Sequence, residues 1–322
     1  MTLKENKINL KGLLYGSLIG DAMGIQFEFY EKKNIKIGNT IKYEDSSVLP
    51  ITKGNWSDDG DSLIFLLQTM NERVNTEIVS EHSYAKKLYD WYYKGIPELN
   101  KRPGVGCGNT CGAVITHALF KTNPHKASKL IFDKTQSQSN GALMKIAILG
   151  LSSKNKDIVI ENTIKICKIT HHSNLVQASC IACTLLVYYY ATKHFNPFNL
   201  FENNQIHHTI YKDVVKIVSL TPKEKFEFLT SILTNNISEL KLDENFKVGY
   251  CLKTLGCAFW ALKHLPTSNY EKLMTEIYRE GGDTDTNGCV AGAIIGLIKG
   301  YASIPSSWRT DLKYKNYIEK LL

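Results

Sequence analysis

A chain of 322 residues, 43% hydrophobic and 22% charged, is long enough to bury a large core and has the composition of a globular protein. Its formal charge of +8 comes from lysines scattered through an asparagine- and lysine-rich sequence. No dense basic run carries interleaved aromatics, so the charge reads as a solvated surface and argues against a nucleic-acid groove. Eight cysteines (Cys107, Cys111, Cys167, Cys180, Cys183, Cys251, Cys257 and Cys289) sit mostly in apolar helical patterns of a chain too large to need stapling. They are expected to be reduced core residues, and the CxxC at Cys180 and Cys183 lacks the second pair that a zinc site would need.

The opening residues, Met1 to Lys7, lead into a glycine-containing segment and not into the uninterrupted apolar core of a secretory signal. The longest apolar runs, Cys180 to Ala191 and Val290 to Ile298, are shorter than a bilayer requires. The expectation is a cytoplasmic protein without a membrane anchor. Periodicity favours helices almost everywhere, with no strand alternation and no βαβ rhythm, so the predicted class is all-α. No fixed-period repeat, low-complexity linker or sharp change of composition divides the chain.

From Leu10 to Gly24, glycines recur every fourth residue at Gly12, Gly16, Gly20 and Gly24, which places them on one helical face. A second set, Gly288, Gly292, Gly296 and Gly300, repeats the device near the end of the chain. Each interior glycine weakens an isolated helix by about 1 kcal/mol relative to alanine, so both helices require close packing in compensation. If they meet each other, Asp21 and Glu28 come near Asp283 and Asp285; the other arrangement gives each face its own neighbour.

Between them, Glu31 to Trp56 is polar and broken by Gly38, Pro50 and Gly54, long enough to act as a lid. Ser57 or Asp58 then caps a helix carrying Leu63, Ile64, Leu66, Leu67 and Met70. Another amphipathic helix is predicted around His82 to Tyr93. Lys101 to Gly112 is the most glycine-rich loop and opens a helix from about Ala113 to Phe120. Backbone amides in such a loop suit phosphate oxygens, but no strand precedes it and the spacing matches neither dinucleotide nor P-loop patterns, so by itself an ordinary turn is the better reading. Ser139-Asn140-Gly141-Ala142 runs into a helix over Leu143 to Leu149, and Thr170-His171-His172 separates two further helical patterns. The stretch 193–247 turns polar, with helices at Tyr211 to Leu220 and Lys223 to Thr234, and is expected to be peripheral. Tyr250 to Leu265 is an apolar helix.

Two clusters carry the chemistry. Gly281-Gly282-Asp283-Thr284-Asp285-Thr286 offers two carboxylates and a hydroxyl on a tight turn, and Ser57-Asp58-Asp59 offers the same groups at another helix start. Hard divalent cations take oxygen donors of this kind, and helix capping uses the same residues. Together the clusters could hold one metal ion or two.

Taken in order, these segments resemble the ADP-ribosylglycohydrolases. Gly12 to Gly24 followed by Glu28 is similar to that family's opening helix. Trp56-Ser57-Asp58-Asp59 resembles its aromatic-Thr-Asp-Asp motif, Ser139 to Lys145 its Gly-Asn-Gly-Ala-Leu-Met-Arg segment, and Thr170-His171 its Thr-His pair. Gly249-Tyr250 to Trp260 resembles its Gly-Tyr to Leu-Trp helix, and Gly281 to Thr286 matches its Gly-Gly-Asp-Thr-Asp-Thr run without change. The resemblance implies one compact multi-helical domain over residues 1–322, two Mg2+ ions (Mn2+ in some members) and hydrolysis of a glycosidic bond to ADP-ribose.

Carried over by position, Ser57, Asp58, Asp59, Asp283, Asp285 and Thr286 would be metal ligands, and Glu28, Asp58 and Asp285 would be catalytic, Glu28 on a mobile flap. Gly104, Gly106, Gly108, Asn109, Thr110, Ser139, Asn140, Gly141 and His171 would line the ADP-ribose cleft. The implied partner is an ADP-ribosylated protein or an ADP-ribose-containing small molecule. A catalytically silent ADP-ribose binder and a hydrolase of another nucleotide are the alternatives. Three departures stand out: Ser57 for Thr, Gly60 followed by Asp61 where a second Thr is common, and Lys145 for Arg, which keeps charge but loses bidentate recognition.

Overall fold

The computed structural model describes residues 7–38 and 40–322, so nearly all of the opening segment read for a secretory signal lies outside the described residues. Among the described residues the chain forms fifteen α-helices and no strand. In order they are α1 (Lys7–Gly24), α2 (Asp58–Asn71), α3 (Glu81–Lys94), α4 (Asn109–Ile115), α5 (Pro124–Thr135), α6 (Leu143–Ile146), α7 (Lys156–Lys168) and α8 (Asn174–Ala191). There follow α9 (Leu200–Ile217), α10 (Pro222–Leu233), α11 (Cys251–His264), α12 (Tyr270–Arg279), α13 (Thr284–Lys299), α14 (Ser306–Asp311) and α15 (Lys315–Leu321). The all-α expectation holds. The glycine loop's helix begins at Asn109, earlier than predicted, and the segment after Ser139 becomes one α-turn followed by a 3-10 stretch.

The two glycine faces meet each other. A Cβ on Gly12, Gly16, Gly20 or Gly24 would lie 2.1, 2.2, 2.1 or 2.4 Å from the carbonyl oxygen of Gly296, Gly292, Gly288 or Thr284. The partner numbers fall as the first set rises, so α1 and α13 run antiparallel, with backbone against backbone. No side chain fits in that seam. Helix α12 closes over it: Tyr270 donates its hydroxyl to the Gly16 carbonyl (2.7 Å) and Tyr278 donates to that of Gly20 (2.8 Å). These buried phenols thus find acceptors without leaving the core.

The seam positions the acidic helix as well. Asp21, fully buried on α1, accepts from the backbone N–H of Ser57 (2.9 Å) and of Gly60 (2.9 Å), satisfying amides that the start of α2 leaves unpaired. Ser57 is the cap residue and its side chain accepts from Asp59 N at 3.2 Å. Gly60 has no room for the common threonine: a Cβ would stand 2.4 Å from Trp56 and 2.7 Å from Leu18. Asp61 has a defined role here. Its carboxylate accepts from Trp56 Nε1 (2.8 Å), Trp91 Nε1 (3.0 Å) and Lys101 Nζ (2.6 Å), the last a buried ion pair. Helices α2 and α3 and the start of the glycine loop are pinned at that one group.

Three expectations change in detail. The apolar run ending at Ala191 is part of an 18-residue helix, long and apolar enough to cross a membrane, yet 83% of it is buried inside the fold, where α8 packs on α7 and α11. The stretch 193–247 is not simply peripheral, because Ile210 and Val214 of α9 and Phe228 and Ile232 of α10 join the main core. The segment 31–56 is anchored: Ile41, Tyr43 and Ile51 are buried, Tyr43 donates to the Trp308 carbonyl (2.9 Å) and Trp308 Nε1 donates to that of Ile41 (3.0 Å). All eight cysteines are free thiols, and all but Cys107 are buried.

Candidate active site

Three distant segments deliver carboxylates to one cleft of about 710 Å3. Asp58 and Asp59 arrive on the first turn of α2, Asp283, Asp285 and Thr286 at the start of α13, and Glu28 just beyond the end of α1. Their convergence follows from the seam, since Gly24 faces Thr284 across it. Backbone bonds then fix the two turns together: Phe29 N donates to Gly282 O (2.8 Å) and Gly282 N to Tyr30 O (2.9 Å). Both Gly281 and Gly282 adopt positive φ, and a Cβ on either would collide with a carbonyl oxygen at 2.3 or 2.1 Å, so this turn accepts only glycine. Glu28 is therefore buried and held beside the acidic turn.

The electrostatics are those of crowded anions. Burial pushes the Asp58 carboxyl well above the usual range, with the charges of Asp21, Asp61 and Glu28 adding to the effect. Asp59 is raised by burial and then by Asp58, Asp21 and Asp283, with Thr286 pulling it back, and Asp285 by burial and then by Glu28, Asp283 and Asp59. Glu28 is pushed up to about 8, first by burial and then by Asp283 and Asp21. One oxygen on each of Glu28, Asp59 and Asp285 is buried without a hydrogen-bond partner. Buried carboxylate oxygens of this kind are costly unless a cation or a proton meets them. The donor set, all hard oxygen, fits a divalent cation.

Asp21, Asp59 and Cys289 also offer ligand atoms within 4.8 Å of one another. Asp21 is spent on backbone amides and the Cys289 thiol donates to Met144 O (3.4 Å), so this trio reads as the wall behind Asp59.

The remaining predicted residues divide between lining and backing. Gly104, Gly106, Gly108, Asn109, Thr110, Ser139, Asn140 and Gly141 all line the cleft. Gly106, at φ 88°, presses on the acidic centre: a Cβ there would lie 2.5 Å from Asp58 Oδ1. Asn140 donates to Asp283 Oδ2 (2.8 Å) and to Thr254 Oγ1 (2.8 Å), while Thr254 donates to Asn287 Oδ1 (2.7 Å). This relay sets the orientation of the Asp283 carboxylate.

Ser57 and His171 stand one layer back. Ser57 is buried, with its hydroxyl accepting the Asp59 amide. His171, expected on the cleft wall, is buried behind Ser139 and Gly141, its Nε2 2.9 Å from Ser139 Oγ and its Nδ1 2.9 Å from Thr170 Oγ1. Burial, then the Lys145 charge, pushes its pKa down to about 3 and keeps the ring neutral. Lys145 is buried too; it donates to the Gly141 carbonyl (2.8 Å) and supports the cleft floor from beneath. Sequence reading missed Phe29, Leu49, Phe246 and Lys247, which complete the mouth. A cavity of similar size, about 780 Å3 near Tyr189 and Phe198, has no carboxylate in its lining.

The fold is thus an all-helical domain that gathers buried aspartates from two helix starts around one cleft. The ADP-ribosylglycohydrolase family model matches residues 4–322, and the chain belongs to that family of ADP-ribosyl glycohydrolases. It is 24% identical over 323 residues to the ADP-ribosylarginine hydrolase Tri1 of Serratia proteamaculans, covering 98% of this chain and 78% of the relative. With the ADP-ribosylhydrolase ARH3 of Xenopus tropicalis it shares 24% over 337 residues, covering 95% and 91%. The ADP-ribosyl-[dinitrogen reductase] glycohydrolase of Rhodospirillum rubrum is 22% identical over 313 residues, covering 94% and 90%. A solved structure titled ADP-ribosylglycohydrolase-related protein complex aligns with TM-score 0.67 at 19% identity, covering 99% of this chain and 97% of the other, and supports the fold.

Proposed function

We propose that this chain is a divalent-metal-dependent hydrolase that releases ADP-ribose from a modified protein side chain. The observation that carries the reading is the convergence of Asp58, Asp59, Asp283, Asp285, Thr286 and Glu28 on one cleft with partnerless buried oxygens. Those aspartates and Thr286, with the remaining lone pair of Ser57 behind Asp59, would hold the ions, two Mg2+ by family likeness. Such ions, when bound, supply Lewis acidity at the ribose and lower the pKa of bound water.

The protein groups manage the proton. Glu28 reaches the cleft with Oε2 buried and without a hydrogen-bond partner, and burial with the charges of Asp283 and Asp21 raises its proton affinity. It can pass a proton to the departing nitrogen or oxygen as the bond to the ribose anomeric carbon breaks. The new bond at that carbon comes from water, whose released proton goes to an aspartate carboxylate. Gly104, Gly106 and Gly108 let the backbone approach the ligand, and Thr110, Ser137 and Ser139 offer linked hydroxyls along the same wall. The protein substrate is suggested by the relatives whose names specify modified arginine or dinitrogen reductase.

The test is release of free ADP-ribose from two matched peptides, one modified on arginine and one on serine, with magnesium and with chelator. Magnesium-dependent release from either supports the reading and identifies the linkage. Release unaffected by chelator contradicts the metal dependence, and no release from either contradicts the function.

A further inference from the structure

The mouth of the cleft carries an apolar rim that catalysis does not require. Of the ten large hydrophobic residues exposed among the described residues, Phe29, Tyr30, Val48 and Phe246 belong to three segments that meet here. Tyr30 donates its hydroxyl to Ser47 Oγ (3.1 Å), joining the first segment to the turn at Val48. Lys32 N donates to Asp243 Oδ2 (2.9 Å), joining it to the loop that bears Phe246. Two lysines near them are paired, Lys32 with Glu280 at 2.6 Å and Lys247 with Glu244 at 3.1 Å.

Phe29 and Phe246 share a second feature. Both adopt left-handed backbone conformations, at φ 63° and 64°, which bulky side chains rarely take. Phe246 is fully exposed, at 105% of its reference area, so no packing in the free protein accounts for its presence there. Strain of this sort, held by surrounding bonds, collects where a ligand is met.

We infer that this rim is a docking surface for the protein segment that carries the ADP-ribosyl group, with apolar residues flanking the modified side chain. The inference rests on the function proposed above. Position selects the occupant. Phe29 and Phe246 also line the cleft, but Tyr30 and Val48 lie outside its lining, beyond the reach of an ADP-ribose seated within. Only a partner that continues past the cleft touches all four. An apolar segment suits four exposed apolar side chains, and its burial there would set affinity for the protein without changing the chemistry.

The experiment compares three substrates of whichever linkage the chain cleaves: a modified peptide with leucine and valine flanking the modified residue, the same peptide with serines there, and the free ADP-ribosyl amino acid. The variants are Phe246→Gly and Val48→Ser. Glycine takes the left-handed conformation freely, so the first should keep or raise Tm, whereas a merely structural Phe246 would lower it. Expected of Val48→Ser, which lies outside the cleft lining, is a rise of roughly fivefold in KM for the apolar-flanked peptide, with kcat held and KM for the free amino acid conjugate unchanged. Phe246→Gly, within the lining, should raise KM for the apolar-flanked peptide more than for the free conjugate.

An equal rise with all three substrates would assign Phe246 to the adenine and overturn the inference. So would unchanged KM for the apolar-flanked peptide. If the wild-type protein cleaves none of the three, the proposed function fails separately, and fluorescence-polarisation binding of the same peptides decides the surface. Tighter binding of the apolar-flanked peptide by wild type than by Phe246→Gly upholds it; equal binding overturns it.

Discussion

The seam between α1 and α13 and the rim around the cleft are both built from residues in unusual surroundings, and they use them in opposite ways. In the seam the absence of side chains lets two backbones touch, and each of Gly12, Gly16, Gly20 and Gly24 is constrained by an atom across it. At the rim, Phe29 and Phe246 project into solvent from backbones that would suit glycine better, and Phe246 touches almost nothing. Contacts that hold a fold together are satisfied within the chain. Residues kept for a partner are left unsatisfied until it arrives.

Breaking the seam should have the largest effect. Gly16→Leu puts a branched side chain where a Cβ alone would lie 2.2 Å from Gly292 O, and should cost at least about 4 kcal/mol or prevent soluble expression. Urea denaturation reads it, and a midpoint within experimental error of wild type would refute the backbone-to-backbone packing. Changing the acidic cleft should separate activity from stability. Asp283→Asn or Asp285→Asn is expected to lower kcat by about 10³-fold, roughly 4 kcal/mol at the transition state. The same variants, measured in chelator, should be as stable as wild type or more so, because each removes a buried like charge.

Much of this contrast could be read in the sequence because it rests on periodicity and composition. Glycines at every fourth position announce a helix face that must be covered by backbone, and Ser57-Asp58-Asp59 is both a good cap and a hard-oxygen donor set. Family resemblance added which clusters meet. Helices α5 and α12 were missed although each has an asparagine cap, Asn123 and Asn269, accepting the amide three residues on. Helix α12 was legible, since Tyr270, Leu273, Met274, Ile277 and Tyr278 recur at helical spacing behind the Asn269 cap; only the use of its tyrosines on α1 carbonyls, a tertiary contact, had no local signature. His171 was placed on the wall because nothing in sequence distinguishes a residue that touches ligand from one that orients Ser139. The rim was invisible, since exposed phenylalanines in loops acquire meaning only when three segments bring them together.

Smaller perturbations sharpen the boundary between frame and cleft. Asp61→Asn keeps an acceptor for only one of the two indoles, turns an amide donor toward the other, and leaves the Lys101 ammonium buried without its counter-charge. It should cost about 3 kcal/mol, read as a fall in Tm, with little change in the pH dependence of turnover. An unchanged Tm would remove Asp61 from the frame.

The metal-free cleft should also respond to pH. Asp21 at about 6 and Glu28 at about 8 sit above the ordinary carboxyl range of about 4, so the folded state holds protons that the unfolded chain releases. Their contribution is greatest below that range and is lost as pH rises through 8. In chelator, Tm should fall by roughly 5 °C between pH 5.5 and 8.5, and magnesium should restore more of it at the higher pH. A Tm that rises over this range would contradict the description of the cleft as crowded anions.

The central claim is that buried oxygens on α2 and α13 form a divalent-cation site, and the most direct measurement is Mn2+ binding followed by electron paramagnetic resonance, in wild type and in Asp59→Asn and Asp285→Asn. The account predicts saturable binding of up to two ions per chain in the wild-type protein, with competition by Mg2+ and loss or marked weakening in both variants. Binding of equal strength in all three proteins, or none in wild type, would contradict it.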